Sequence, residues 1–142
     1  MAGFQGITGS GDITTLGRGG SDTTAVAIAA GLNAGSAIFI PMWTRLHCRP
    51  RIVPNALKLD EITFAEMLEL ARLGAGVMQP RAVEYGEHNG VAIHVRSTFH
   101  EVPGTIIRGE YTVQEKKFVI RGVAHDTNVA KLAARGVRMN RA

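Results

Sequence analysis

The spacing of apolar residues changes several times along this chain, and each change marks an element. Residues 1–5 read as the end of a strand, and residues 6–12 as a polar glycine turn. Residues 13–16 lead into a loop holding Gly17, Gly19 and Gly20. Ala25, Val26, Ala27, Ile28, Ala29 and Ala30 then predict a helix over residues 21–32, capped by Ser21 or Asp22 and stopped near Gly31. So many small residues predict close packing against a sheet. Residues 37–40 are apolar and β-leaning, but residues 42–51 follow neither the helical nor the strand period. Pro50 and Pro54 bracket a short extended piece at 51–53.

Order returns at Leu57. Thr63 with Glu66 three residues on is a capping box. Phe64, Met67, Leu68, Ala71 and Leu73 then form one apolar face, closed by Gly74. Pro80 suits the first turn of a helix over 81–88, ended by Asn89-Gly90. Val91, Ile93 and Val95 alternate as a strand, and Thr105-Ile106-Ile107 make another. Residues 109–116 resemble a linker, 117–125 a further strand, and 133–142 a basic solvated tail. Alternating strands and helices predict an α/β layered fold with ligands at the carboxyl ends of its strands.

Composition narrows the picture. A hydrophobic fraction of 45% in 142 residues supports one packed domain. The lone Cys48 excludes an internal disulfide framework and fits a reducing cytosol. The first residues carry no signal-peptide pattern, and the uncharged run 24–44 is broken by Gly31, Asn33, Gly35, Ser36 and Pro41, which argues against a membrane span. Net charge is +4. Residues 1–113 hold nine Lys/Arg against ten Asp/Glu, so the basicity belongs to the tail, where aromatics are too sparse to stack on bases. Nucleic acid is not an expected partner. His88, His94, His100 and His125 show no zinc-type spacing with Cys48, and no metal site is expected from them.

The candidate chemistry lies at residues 14–25. Glycines at 17, 19 and 20 permit positive φ and close approach of a ligand to the backbone. A helix beginning at Ser21 or Asp22 offers an N-terminus to an anion, and Arg18 offers a planar fork for carboxylate or phosphate. The same residues also describe an ordinary glycine-rich loop before a well-capped helix.

A wider set of motifs goes further. Phe4-Gln5-Gly6 and Gly11-Asp12-Ile13-Thr14-Thr15-Leu16-Gly17-Arg18-Gly19-Gly20-Ser21-Asp22-Thr23-Thr24-Ala25 resemble the central signature of aspartate kinase. Arg51-Ile52-Val53-Pro54-Asn55-Ala56, Leu59-Asp60-Glu61-Ile62, Glu66-Met67-Leu68-Glu69-Leu70-Ala71 and Pro80-Arg81-Ala82-Val83-Glu84-Tyr85 continue the resemblance in order. So do Val95-Arg96-Ser97 and Pro103-Gly104-Thr105, and Gly122-Val123-Ala124-His125-Asp126 is similar to the first strand of a regulatory ACT region.

The resemblance implies a partial amino-acid kinase (carbamate-kinase-like) fold in residues 1–108, a linker at 109–116 and the start of an α+β ACT domain at 117–142. It implies a cytoplasmic enzyme that uses ATP and Mg to phosphorylate the aspartate side chain, giving 4-phospho-L-aspartate on the way to lysine, threonine and methionine. Homo- or hetero-oligomers are implied as well. By family match Arg18, Ser21 and Asp22 take the amino acid, with Phe4 and Gly20 beside them, and Asp22 is also the catalytic candidate. Arg51, Gly76 and Val77 fall on the nucleotide side. Arg96, within the matched Val95-Arg96-Ser97, is expected in structural pairing.

Three departures limit the activity expected of this chain. The family's Lys-Phe-Gly-Gly-Thr-Ser motif is absent, which reads as an internal fragment that is inactive alone. Gly76 stands where the family has a lysine near ATP. Residues 35–50 lack the family's Tyr-Thr-Asp-Val-Asp and Val-Tyr-Thr-Ala-Asp pattern, yet permitted codons for residues 39–50 encode both pieces when read out of frame. That predicts a frame-shifted gene or a reading error, to be decided against a divergent loop by resequencing the coding DNA. The rival to an enzyme is a non-catalytic relative that binds an amino acid or a partner chain without nucleotide. Another amino-acid kinase, for glutamate or uridylate, fits the 18–22 motif and the ACT-like start less well.

Overall fold

A computed structural model describes residues 3–40, 58–73, 76–99, 101–109 and Ala130. The expectations for residues 42–57, Gly74, the linker, the strand at 117–125 and the tail lie outside the described residues.

The chain opens with a hairpin. Strands β1 (Gln5–Ile7) and β2 (Ile13–Thr15) pair antiparallel, with Gln5 opposite Thr15 and Ile7 opposite Ile13. The first strand therefore begins at Gln5 rather than ending there. Its turn is closed by side chains: Ser10 Oγ donates to Asp12 Oδ2 at 2.7 Å, and Asp12 N donates to Thr8 Oγ1 at 3.0 Å.

Helix α1 (Gly20–Gly31) follows, then strands β3 (Ser36–Phe39) and β4 (Glu61–Thr63) and helix α2 (Phe64–Arg72). Helix α3 (Pro80–Asn89) and strands β5 (Ala92–Val95) and β6 (Thr105–Arg108) complete the described fold. The sheet order is β3-β5-β6-β4; β3 runs parallel to β5, β4 parallel to β6, and β5 antiparallel to β6. The expected α/β class holds. Strand β4 was not expected, because three residues running straight into a helix cap show no period.

One sheet face is dry. Ala37, Ile62, Ile93, Val95 and Ile107 are buried with Val26, Met67, Ala82 and Val83 from the helices and Met78 just before α3. Burying each of the Val, Ile and Met side chains among them contributes about 1.5–3 kcal/mol. The cross-strand neighbours on the other face, Ile38, His94 and Ile106, are only partly covered or exposed. Helix α1 packs mainly on α3 and less on β3, so its small residues serve a helix–helix contact more than the expected helix–sheet one. Gly86 lets α3 settle onto the sheet: a Cβ there would lie 3.1 Å from both Ile93 Cδ1 and the Val91 carbonyl.

The helix ends follow their signals unevenly. Thr63 caps α2 by accepting from Glu66 N at 3.2 Å while Glu66 Oε2 accepts from Thr63 N at 3.0 Å. Pro80 stands at the start of α3, and Gly90 ends it at φ 65°. Two details differ. Leu73 is 61% exposed: nine residues after Phe64, the helical period puts it on the side opposite the apolar face. The cap of α1 is Gly19, not Ser21 or Asp22.

Candidate functional site

The turn between β2 and α1 is built from glycine geometry. Gly17 and Gly19 take φ 79° and 75°, a region costly for residues with a Cβ, and Gly20 N donates to Gly17 O at 3.0 Å. Gly20 is needed for space: a Cβ there would lie 2.7 Å from Leu16 Cβ and 3.1 Å from Phe4 Cδ2. No side chain caps the N-terminus of α1, so its first N–H groups and positive dipole end face the loop.

Phe4 is locked against this turn. It holds φ 70°, unusual for a non-glycine residue, through two contacts. Its N donates to Thr24 Oγ1 at 3.2 Å and its carbonyl accepts from Leu16 N at 2.9 Å. Thr24 in turn donates to Gly20 O at 2.8 Å. Phe4 and Gly20, sixteen residues apart, are thereby brought together beside Arg18, Ser21 and Asp22.

Arg18 and Ser21 are exposed, and Arg18 forms no ion pair among the described residues. A guanidinium next to an uncapped helix N-terminus suits an anion, and its fork fits a carboxylate or a phosphate. Asp22 is half-buried in the first turn of α1, and its Oδ2 accepts from the backbone N of Gln79 at 3.2 Å. It therefore ties α1 to α3 instead of capping its own helix.

Gln79 is the functional neighbour that sequence reasoning missed. It is the N-cap residue of α3, and its Cβ, Cγ and Cδ occupy the space above Gly19, where a Cβ would meet them at 2.7, 2.8 and 2.9 Å. Pro80 signalled a helix start next to Gln79, but nothing in the sequence joined that start to Asp22, 57 positions away.

Gly76 and Val77 lie on the approach to α3. Gly76 is exposed at φ 65°, whereas Val77 is half-buried and packs against the core, leaving backbone rather than side chain to face a ligand. Arg51 lies outside the described residues. Arg96 sits at the end of β5, with its N donating to Phe39 O at 2.8 Å; its guanidinium has no carboxylate partner among the described residues. On the open sheet face, desolvation together with Arg96 and Lys58 lowers the pKa of His94.

Among the described residues no group of three His, Cys, Asp or Glu side chains could hold a metal ion. No helix among them is long and apolar enough to cross a membrane.

Several known proteins are similar to this chain in sequence and in fold. The model of the amino acid kinase family matches residues 1–97. An aspartokinase from Bacillus sp. (strain MGA3) is 49% identical over 138 residues, which is 96% of this chain but 33% of that protein. Aspartokinase III of E. coli, solved with aspartate and ADP in the R-state, superposes with a TM-score of 0.71 at 34% identity, covering 77% of this chain and 25% of that one. The aspartate kinase of Clostridium acetobutylicum superposes at 0.76 with 32% identity, covering 86% and 29%. The chain thus spans about a third of the length of the curated relatives it matches.

Proposed function

The chain belongs to the amino acid kinase family, and from that membership we propose that it carries the aspartate-binding half of an aspartate kinase. The reaction is transfer of the γ-phosphoryl group of ATP to the side-chain carboxylate of L-aspartate. A carboxylate oxygen forms the new O–P bond, the bond to the bridging oxygen breaks, and ADP leaves with 4-phospho-L-aspartate as product. When bound, ATP supplies the phosphoryl group and Mg neutralises its charge.

The observation that carries this proposal is Arg18, exposed and with no ion pair among the described residues, beside the uncapped start of α1. It suits a ligand with a carboxylate and leaves Ser21 Oγ and the outer oxygen of Asp22 for the amino-acid head. Phe4 and Gly20 shape the floor of that loop. The described residues fit the amino-acid side. Toward the nucleotide, Gly76, Val77 and Arg51 are assigned by family match; Gly76 is exposed and Val77 half-buried, and Arg51 lies outside the described residues. Among the described residues no cluster of three His, Cys, Asp or Glu side chains is placed to hold Mg.

The other assignments rest on the same resemblance. Residues 1–108 are the C-terminal part of a catalytic domain, 109–116 a linker, and 117–142 the start of an ACT domain. The enzyme acts in the cytoplasm, as an oligomer, toward lysine, threonine and methionine. By itself this chain binds aspartate without turnover, since Gly76 offers no cation to phosphate.

ATP-dependent formation of aspartyl hydroxamate tests turnover, and calorimetry with aspartate and with ATP tests binding. Aspartate binding without hydroxamate is the expected result. Hydroxamate above the blank would overturn the claim of inactivity, and absence of aspartate binding would overturn the site. Glycine at 76 also favours a second reading, a non-catalytic amino-acid-binding relative. That reading predicts aspartate binding without nucleotide, and calorimetric binding of ATP to this chain would speak against it.

A further inference from the structure

We propose that Gln79 is a positioning residue for the Arg18 loop, joining the start of α1 to the start of α3 through two separate contacts. This deepens the proposed function and rests on it for the identity of the ligand. The first contact is polar: the Gln79 N–H, a donor at a helix N-terminus with no intrahelical acceptor, is satisfied by Asp22 Oδ2 at 3.2 Å. The second is steric: the Gln79 side chain fills the space over Gly19, with Cβ, Cγ and Cδ all within 3 Å of where a Cβ would project.

Together they bear on both ends of the anion-binding turn. Asp22 is in the first helical turn after Arg18, and Gly19 is the cap residue directly next to it. A turn with two glycines at positive φ has little stiffness of its own, because glycine loses the most conformational entropy when ordered. The wall of Gln79 restricts where Gly19 can go. The bond to Asp22 fixes one carboxylate oxygen and leaves the other directed by the helix. Gly76 and Val77 lie only two or three residues before Gln79, so displacement of this segment passes directly into the turn that carries Arg18. Gln79 touches no substrate in this scheme; it acts through Asp22 and Gly19.

The test uses the full chain and three variants. In Asp22→Ala the Gln79 amide proton should exchange with solvent about tenfold faster, the effect of losing one charge-assisted hydrogen bond, while core amides such as Val26 keep their rates. In Gln79→Ala the amide signals of Arg18, Gly19 and Gly20 should shift, and aspartate affinity should fall about fivefold or more. Gln79→Met, which restores the bulk over Gly19, should recover both.

Unchanged exchange at Gln79 in Asp22→Ala would overturn the polar contact. Unchanged Arg18–Gly20 signals in Gln79→Ala would overturn the steric one. Equal losses in Gln79→Ala and Gln79→Met would show a general loss of fold and overturn the positioning role. If the wild-type chain binds no aspartate, the proposed function fails, while the exchange rates and amide shifts still decide whether Gln79 holds the loop.

Discussion

Gly104 presses directly on the carbonyl of Val95: a Cβ built on Gly104 would lie 2.0 Å from that oxygen and 2.8 Å from its carbon. The contact sits where β5 ends and β6 begins, beside the Val95–Thr105 pair. No rotamer change relieves it, because the obstacle is backbone. Gly104→Ala is expected to destabilise the fold by about 3 kcal/mol, the upper part of the range for overpacking. Urea unfolding followed by circular dichroism measures it, and a loss under about 0.5 kcal/mol would mean that the β5–β6 connection yields easily.

The capping box on α2 makes a smaller prediction. Thr63 and Glu66 satisfy each other's backbone N–H groups at 3.2 and 3.0 Å. Thr63→Ala removes the side-chain acceptor and should cost about 1 kcal/mol, whereas Thr63→Ser should keep most of the stability. Thermal melts of the two variants compare them. Equal losses would place the cost in the Thr63 methyl group, which is also buried, rather than in the cap.

His94 makes stability depend on pH in a defined direction. Desolvation comes first among the causes that lower its pKa below 6.5, followed by the charges of Arg96 and Lys58. The unfolded chain then binds the proton more readily than the folded one. The folded state keeps its full stability above pH 6.5 and loses part of it as pH falls through the lowered value. His94→Gln should flatten that slope. Denaturant midpoints of both proteins between about pH 5 and 7 provide the comparison, and parallel curves would exclude His94 as the source.

Arg18 separates binding from folding. It is exposed and has no ion-pair partner among the described residues, so Arg18→Ala should leave the melting temperature within a degree or two, the usual outcome for such a surface site. If Arg18 holds the substrate carboxylate, aspartate affinity should drop by about tenfold or more, and Arg18→Lys should recover only part of it because the forked geometry is lost. A large fall in melting temperature would make Arg18 structural instead.

Sequence by itself determined the local features of this protein. The Thr63–Glu66 box, Pro80 and Gly90 around α3, and the alternation of Val91, Ile93 and Val95 each depend on neighbours within a few residues. Their physics is written in the spacing. The glycine turn at 17–20 belongs to the same class, because positive φ is a property of the residue that adopts it. Family motifs added the aspartate assignment, which local physics alone left as one anion site among many.

Tertiary structure decided what distant residues do to one another. Asp22 reads as a helix cap until Gln79, brought alongside it by the packing of α1 on α3, takes its carboxylate. A short half-buried acceptor bonds the unsatisfied donor nearest to it in space, and sequence distance has no part in that choice. The placement of β3 beside β5 and of β4 beside β6 arises in the same way, from partners such as Ser36 and Ala92 or Glu61 and Ile106 that lie far apart in the chain and leave no period within three or four residues. The glycine turn around Arg18 was thus legible in the sequence, while its contacts with Gln79 were not.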